Sequence, residues 1–425
     1  MIARAVYSAL FYLATPAVLL RLWWRARKQP EYLQHVGERY GLYPQEAAAP
    51  LIWIHAVSVG ETRAAEPLID AILAEWPSHH LLLTHMTPTG RETGAMYVNR
   101  YPGRVTQAYL PYDLPDGVKH FFDHFRPAIG LLMETELWPN LIAIARQRKV
   151  PIALINARLS ARSQRGYQRF AALARPAFAA LSFVSAQTPA DAERLTALGA
   201  KSVTVSGNLK FDVAPSEENL LRGLEWKQLL GARSVWLAAS TREGEEALIL
   251  DALQKMNVPG LLLLLVPRHP QRFDEVAALL RERDLTFCRR SEGTMPSSET
   301  QVWLGDSMGE MAAYYAAADL ALIGGSLLPF GGQNLIEAAA CGCPTLVGPH
   351  TFNFSQAAED ATACGAARRV GDVEQAATAA GELLGNRRKL QDMRAAALAF
   401  SRAHRGATAR TVALIRETSS LQTTR

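Results

Sequence analysis

The sequence predicts two doubly wound α/β halves, and three observations carry that prediction. The chain has 425 residues, more than one hydrophobic core usually organises. After about residue 50, short apolar runs alternate with stretches of helical composition. The runs are unbroken rather than alternating, as strands covered on both faces are. Roughly 20–30 residues separate them, which leaves room for a crossover helix each time.

The first thirty residues stand apart from this pattern. Residues 5–20 are uncharged and mostly apolar, and Arg21, Arg25, Arg27 and Lys28 follow. Such a helix spans roughly 24 Å against a hydrocarbon core of roughly 30 Å, so a crossing needs Leu22 to Trp24 and a snorkelling Arg21. A secretory signal fits poorly, because the charge follows the apolar run and no small-residue cleavage site comes after it. A short signal anchor, an interfacial helix and a buried core helix stay open. In the first two, Trp23 and Trp24 suit the headgroup level and the basic cluster suits an anionic cytoplasmic leaflet.

Lys and Arg number 45 against 40 Asp and Glu, a net charge of +5, with 49% hydrophobic and 20% charged residues. The excess invites a nucleic-acid reading. Arg4 and the four cations above account for all of it, however, and no acid lies among the first thirty residues. The rest of the chain is formally neutral, which argues against a general grip on DNA or RNA. Cys288, Cys341, Cys343 and Cys364 lack zinc-ribbon spacing and read as reduced thiols.

Candidate strands in the first half are 51–55, 81–85, 105–110, 128–133, 152–155, 182–185 and 203–205. Those in the second are 235–239, 261–266, 285–288, 302–304, 320–323 and 345–347. The expected organisation is an anchor with its basic flank over 1–30, a first domain over 31–206 and a linker over 207–218. A second domain over 219–390 and a helical segment over 391–425, able to pack back on the first domain, complete it.

Ligands of open parallel sheets bind at the carboxyl ends of strands, so the polar residues after each run matter most. The first run ends in His55, and Gly60 then permits a turn that places Glu61 at the start of a helix. A carboxylate there can take a proton from an attacking hydroxyl, or can be a first-turn Glu favoured by the helix dipole. Glu134 and Glu136 follow the fourth run and share one face of an extended chain. They suit an acid pair, substrate positioning or a helix cap. His120 and His124 resemble a metal-binding helix pattern but lack a third ligand, so solvated histidines on an amphipathic helix are expected. Arg158, Arg162, Arg165 and Arg169 would line one helix face, suited to phosphates or to plain solvation.

In the second half, Ser240 and Thr241 follow a strand as caps of the next helix, and Arg268 and His269 follow another. Gly324 and Gly325 end a third, before Asn334 and Glu337 open a helix. Glycine pairs let a ligand approach the backbone, a helix N-terminus offers N–H groups to a phosphate, and a Glu beside it can accept from ribose hydroxyls. No two glycines stand at i and i+2, so the Rossmann dinucleotide fingerprint is absent, as is the P-loop pattern. These residues imply a nucleotide in the second domain, an acceptor in the first and catalysis in the cleft.

Several stretches together resemble the 3-deoxy-D-manno-octulosonic acid (Kdo) transferases of lipopolysaccharide biosynthesis. They are HAVSVGE (55–61), METELWPN (133–140), INARLSARS (155–163), GNLKFD (207–212), ASTREGEE (239–246), VPRHPQR (266–272), GDSMGEM (305–311) and GGSLLPFGGQNLIEAAACGCPTLVGP (324–349). The resemblance covers nearly the whole chain. It implies two Rossmann-like domains facing a cleft, the glycosyltransferase-B fold, with an N-terminal membrane-anchor helix. It further implies an inverting enzyme of the cell inner membrane, catalytic domains on the cytoplasmic side, that moves Kdo from CMP-Kdo to the lipid A precursor (lipid IVA). Glu61 corresponds to the catalytic base. Ser58, Gly60, Glu134, Glu136, Arg158 and Arg162 fall to the acceptor. Lys210, Thr241, Arg268, His269, Met308, Gly309, Glu310, Gly325, Asn334 and Glu337 fall to the donor. A nucleoside monophosphate is already an ionised leaving group, so neither metal nor cofactor is expected beyond the co-substrate CMP-Kdo. The expected partners are that donor, lipid IVA and the anionic inner membrane, with no nucleic acid. Arg242 departs from the family pattern, which has His there. The alternatives are another glycosyltransferase-B enzyme with a different sugar nucleotide, or a non-catalytic membrane-tethered nucleotide-binding protein.

Overall fold

The computed structural model describes residues 2–44 and 46–418, which form two compact units. One comprises the chain up to Val213 together with the part from Arg405 onward, and the other is Ala214–His404.

The first unit is built on β1 (Leu51–His55), β2 (His80–His85), β3 (Val105–Tyr109), β4 (Ile129–Met133), β5 (Ile152–Ala157), β6 (Val184–Ala186) and β7 (Val203–Val205). They form one sheet in the order β3-β2-β1-β4-β5-β6-β7, and neighbours such as β1 with β2 and β4 run parallel. Both faces are covered, which is why the runs read as continuously apolar. Trp53 on β1 packs among Phe121, Phe122 and Phe125 on one face. Ile52 and Ile54 meet Leu68 and Ile72 on the other. Gly130 on β4 makes room for that indole, since a Cβ there would stand 2.5 Å from the Trp53 ring.

The second unit repeats the plan with β8 (Val235–Thr241), β9 (Leu262–Pro267), β10 (Phe287–Arg289), β11 (Val302–Leu304), β12 (Leu320–Ile323), β13 (Thr345–Val347) and β14 (Ala367–Arg369). Its order is β10-β11-β9-β8-β12-β13-β14. Strand β8 runs two residues further than expected, through a register shift at Ser240, whose φ is 58°. Thr241 is therefore the last residue of a strand, and the following helix, Glu245–Leu253, starts after Gly244 instead of on a Ser or Thr cap. Strand β14 has no apolar run of its own and completes the sheet edge by pairing with β13. Strand order reverses between β1 and β4 and again between β8 and β12, the positions at which a doubly wound sheet opens a ligand crevice.

The N-terminal helix runs from Ile2 to Ala26, with a mean hydropathy of 1.5 over its most apolar 18 residues. Its length and composition suffice to cross a membrane. Among its residues only Leu22 is fully buried, while Leu13 and Trp24 are 78% and 62% exposed. That exposure removes the core-helix reading. The polar side of the helix rests on the first unit, where Asn140 Nδ2 donates to Ser8 Oγ at 3.0 Å and Tyr12 donates to Asp116 at 2.7 Å.

The C-terminal segment divides differently from the expected 391–425. Arg387–Ala403 stays with the second unit, whereas Ala407–Thr418 belongs to the first. Asp212 fixes the return by accepting from the N–H groups of Gly406 and Thr408, each at 2.6 Å. Residues 207–213 accordingly belong to the first unit rather than to a free linker. The expected segment's last residues, 419–425, lie outside the described ones.

Candidate active site

Two carboxylates meet at the switch point of the first sheet. Beyond β1 the chain turns at Ser58, whose hydroxyl caps the helix Val59–Ala64. Glu61 sits in its first turn and folds back, with Oε2 accepting from Val57 N–H at 2.8 Å and Oε1 from Ser58 Oγ at 3.1 Å. Burial, then the negative charges of Glu134 and Glu136, outweigh those bonds and raise its pKa to about 7. Glu61 thus exchanges a proton near neutrality.

Glu134 follows β4 directly, in a left-handed backbone conformation with φ 57°. That bend turns its buried carboxylate toward two cations, Arg158 Nε at 2.8 Å and Lys210 Nζ at 3.3 Å. Glu136, one pleat on, accepts from Trp138 Nε1 at 2.7 Å. Burial raises its pKa, and the Trp138 bond offsets this in part. Gly60 is exposed at the helix start. Lys210, assigned to the donor by resemblance, belongs to the first unit and pairs with Glu134.

The expected arginine stripe is shorter than the spacing suggested. Ser160 caps the helix Ala161–Arg169, so Arg158 precedes it and turns inward to Glu134, leaving Arg162, Arg165 and Arg169 on the helix. His120 and His124 lie on Pro115–Phe125, and no group of three metal-ligating side chains occurs among the described residues.

In the second unit, the ends of β8 and β9 gather basic groups. Arg268 N–H donates to Thr241 O at 3.0 Å. Thr241 Oγ1 and Arg272 Nη1 both donate to Glu246 Oε1, at 2.7 and 2.6 Å. Arg242 lies 4.6 Å from the Phe330 ring centroid. Partial burial, then the charges of Arg242, Arg268 and Arg272, lower the His269 pKa. Three cations, Arg242, Arg268 and Arg272, thus bear on His269, and Arg272 is itself paired with Glu246 and Glu275. Nearby in sequence to β11, Met308 is exposed and Gly309 has φ 81°. Glu310 is held by Arg222 at 2.8 Å, Arg290 at 2.9 Å and Ser307 at 2.5 Å.

The glycine turn after β12 makes its own contacts inside the second unit. Gly324 packs on the backbone of Ser240, where a Cβ would meet the carbonyl oxygen at 2.3 Å. The N–H groups of Gly325 and Leu327 donate to Glu245 at 2.6 and 3.0 Å. These donors are spent inside the protein. Asn334 caps Leu335–Ala340 by accepting from Ile336 N–H at 3.2 Å, and half-buried Glu337 lies in the first turn of that helix.

Comparison with known proteins bears on this arrangement. A family model described as 3-deoxy-D-manno-octulosonic-acid transferase (kdotransferase) matches residues 34–213. A curated 3-deoxy-D-manno-octulosonic acid transferase of Bordetella pertussis is 46% identical over 421 residues, covering 96% of this chain and 98% of that protein. The chain belongs to the Kdo transferase family. It is a glycosyltransferase of lipopolysaccharide biosynthesis, which sets aside a non-catalytic binding protein. Among solved structures, a glycosyltransferase from Rickettsia africae covers 88% of the chain with a TM-score of 0.59 and 12% identity. A UDP-GlcNAc 2-epimerase from Neisseria meningitidis covers 87% with a TM-score of 0.58 and 16% identity. With the two parallel sheets, these likenesses give the Kdo transferase a glycosyltransferase-B fold.

Sequence reasoning singled out neither Glu245 nor the arginines on Glu310. Arg222 lies 88 residues from Glu310, and no local spacing signals such a pair. Glu245 was visible only as one acid in the ASTREGEE stretch, and its partners are backbone groups that carry no residue signature.

Proposed function

We propose that this Kdo transferase moves Kdo from CMP-Kdo to a hydroxyl of the lipid A precursor lipid IVA, with inversion at the anomeric carbon. The observation that carries the proposal is Glu61, a half-buried carboxylate at the β1–β4 switch point with a pKa of about 7. In this reading its ionised form takes the proton of the acceptor hydroxyl as the oxygen attacks the anomeric carbon. The bond from that carbon to the CMP phosphate oxygen breaks, and CMP departs with the electron pair. Val57 N–H and Ser58 Oγ hold the carboxylate in one orientation, so little reorganisation is needed at the moment of transfer.

The basic group of Arg242, Arg268, His269 and Arg272 supports placing the donor in the second unit. Kdo carries a carboxylate and CMP a phosphate, and both suit guanidinium partners. Thr241, Met308, Gly309, Glu310, Gly325, Asn334 and Glu337 complete the proposed donor residues. Ser58, Gly60, Glu134, Glu136, Arg158 and Arg162 are the proposed acceptor residues, and Lys210, which pairs with Glu134, is proposed to reach the donor. The leaving group is an ionised monophosphate, so the reaction is proposed to run without metal or other cofactor. The exposed apolar helix Ile2–Ala26 and its following cations support attachment to the anionic inner membrane, with the two units on its cytoplasmic side. Formal neutrality of the remaining chain supports no role for nucleic acid.

Incubating the protein with CMP-Kdo and tetra-acylated lipid A precursor, and weighing the products, tests the reading. Mass increments of one or more Kdo residues are expected, unchanged by EDTA. A product with no added Kdo, or one made equally well from another sugar nucleotide, overturns it.

A further inference from the structure

We infer that Glu245 is a positioning residue for the donor site, shaping the turn over residues 324–328 and through it the placement of Asn334 and Glu337. The inference rests on reading the second unit as the CMP-Kdo site.

Glu245 is wholly buried at the start of Glu245–Leu253, yet its partners are backbone N–H groups. Oε2 accepts from Arg242 at 2.9 Å and Gly325 at 2.6 Å; Oε1 accepts from Leu327 at 3.0 Å and Leu328 at 3.4 Å. One carboxylate therefore ties the chain leaving β8 to the chain leaving β12, the two strands that flank the switch point. Burying a carboxylate is costly, and four convergent N–H donors offset that cost in part.

The tie extends onward. Gly325 O accepts from Gly332 N–H at 2.7 Å and Gly324 O from Gln333 N–H at 2.9 Å. The next residue is Asn334, and Glu337 follows one turn later. Displacing the turn displaces both proposed donor contacts. Neighbouring Glu246 has separate work, holding Thr241 and Arg272.

Glutamine at 245 cannot replace the carboxylate, because its NH2 would face two N–H groups. In the full-length protein, Glu245→Gln is expected to weaken CMP binding and raise the CMP-Kdo KM by about tenfold or more. Turnover at saturating donor and the acceptor KM should change by less than about threefold. Glu245→Asp, which keeps the charge, should recover part of the donor affinity. Hydrogen exchange adds a readout on the wild type alone. Amides of Gly325 and Leu327 should be protected without nucleotide, and CMP should add little. Wild-type donor affinity in Glu245→Gln overturns the inference, as do amides that become protected only when CMP binds. A wild type that binds no CMP overturns the donor reading itself, a different result from a variant that binds it normally.

Discussion

Glu134 directly follows β4, Glu61 lies in the helix that follows the neighbouring parallel strand β1, and after burial the charge of Glu134 is the strongest influence raising the Glu61 pKa. The two carboxylates differ in their surroundings. Glu134 is held by Arg158 and Lys210, whereas Glu61 is held by one N–H and one hydroxyl. Like charges kept close push one group toward holding its proton, and here Glu61 is that group. Environment thus sets two similar side chains apart, Glu134 paired with two cations and Glu61 with raised proton affinity.

Transfer should therefore depend on ionised Glu61. The rate is expected to rise with pH and level off above about 7, and Glu61→Gln should lower turnover by roughly 10²–10⁴-fold. In Glu134→Gln the loss of a neighbouring negative charge should move the acidic limb of the profile to lower pH. Steady-state rates from pH 5 to 9 check both. An acidic limb that stays in place in Glu134→Gln would refute the electrostatic coupling.

The same proton affinity has a cost in stability. The folded-state pKa of Glu61 is raised from 4.5 to about 7, so folding favours the protonated form. Its relative stabilisation is complete below about 4.5 and is lost as pH rises through about 7. At pH 8, Glu61→Gln should be more stable than the wild type by roughly 1–3 kcal/mol, the gap closing toward pH 4. Urea unfolding at the two pH values measures this, and equal stability at pH 8 would count against the raised pKa.

How much of this was legible in the sequence depends on what kind of signal each feature leaves. β1, β4, β9 and β12 are buried on both faces, and their continuous apolar runs announce them. Glu134 was legible because a polar residue directly after such a run must lie at the ligand end of the sheet, and Glu61 because Gly60 turns the chain into a helix just beyond the first run. β14, an edge strand of Ala and Arg, leaves no run to read. Arg158 fits a helical spacing that Ser160 interrupts by starting the helix later. The partner of the glycine turn was not legible, because sequence does not show which side chain consumes the N–H groups of a turn. Glu245, the consumer, comes from another strand's loop.

Asp212 should matter for folding more than for chemistry. Its carboxylate accepts from Gly406 and Thr408 N–H, bonds that hold Ala407–Thr418 on the first unit. Hydrogen bonds to a charged group contribute about 1.5–3 kcal/mol each, so Asp212→Ala, which removes two, should destabilise the first unit by roughly 3–6 kcal/mol. Residues 407–418 should then exchange amide hydrogens faster while the second unit is unaffected. Unchanged exchange over that helix would show that apolar packing alone holds it.

Removing the N-terminal helix should spare the fold. Leu22 is its one buried residue among those described, and few apolar contacts are lost with it. A chain starting near residue 30 should keep its helical circular dichroism and stay in solution without detergent, while the full chain partitions onto vesicles containing anionic lipid. Deletion does uncover Asn140, which loses Ser8, and takes Tyr12 from the exposed Asp116, so a small loss of stability is expected. A truncated chain that fails to fold would show that the contacts of Ser8, Tyr12 and Leu22 are essential to the first unit.

Arg242 offers a test of the proposed donor seat that does not depend on transfer. Its charge, with those of Arg268 and Arg272 and after partial burial, lowers the His269 pKa. Arg242→Ala removes one of three repelling cations, so the ring should titrate at higher pH, followed by its NMR shifts. The same loss takes a cation from the anion seat and frees the Phe330 face. The CMP-Kdo KM should rise by about tenfold, the weight of one charge-assisted contact. Arg242→Lys would keep the charge but lose the planar stacking surface. Intermediate donor affinity in that variant would show that both charge and shape are used, and wild-type affinity in Arg242→Ala would place the donor's anionic groups elsewhere.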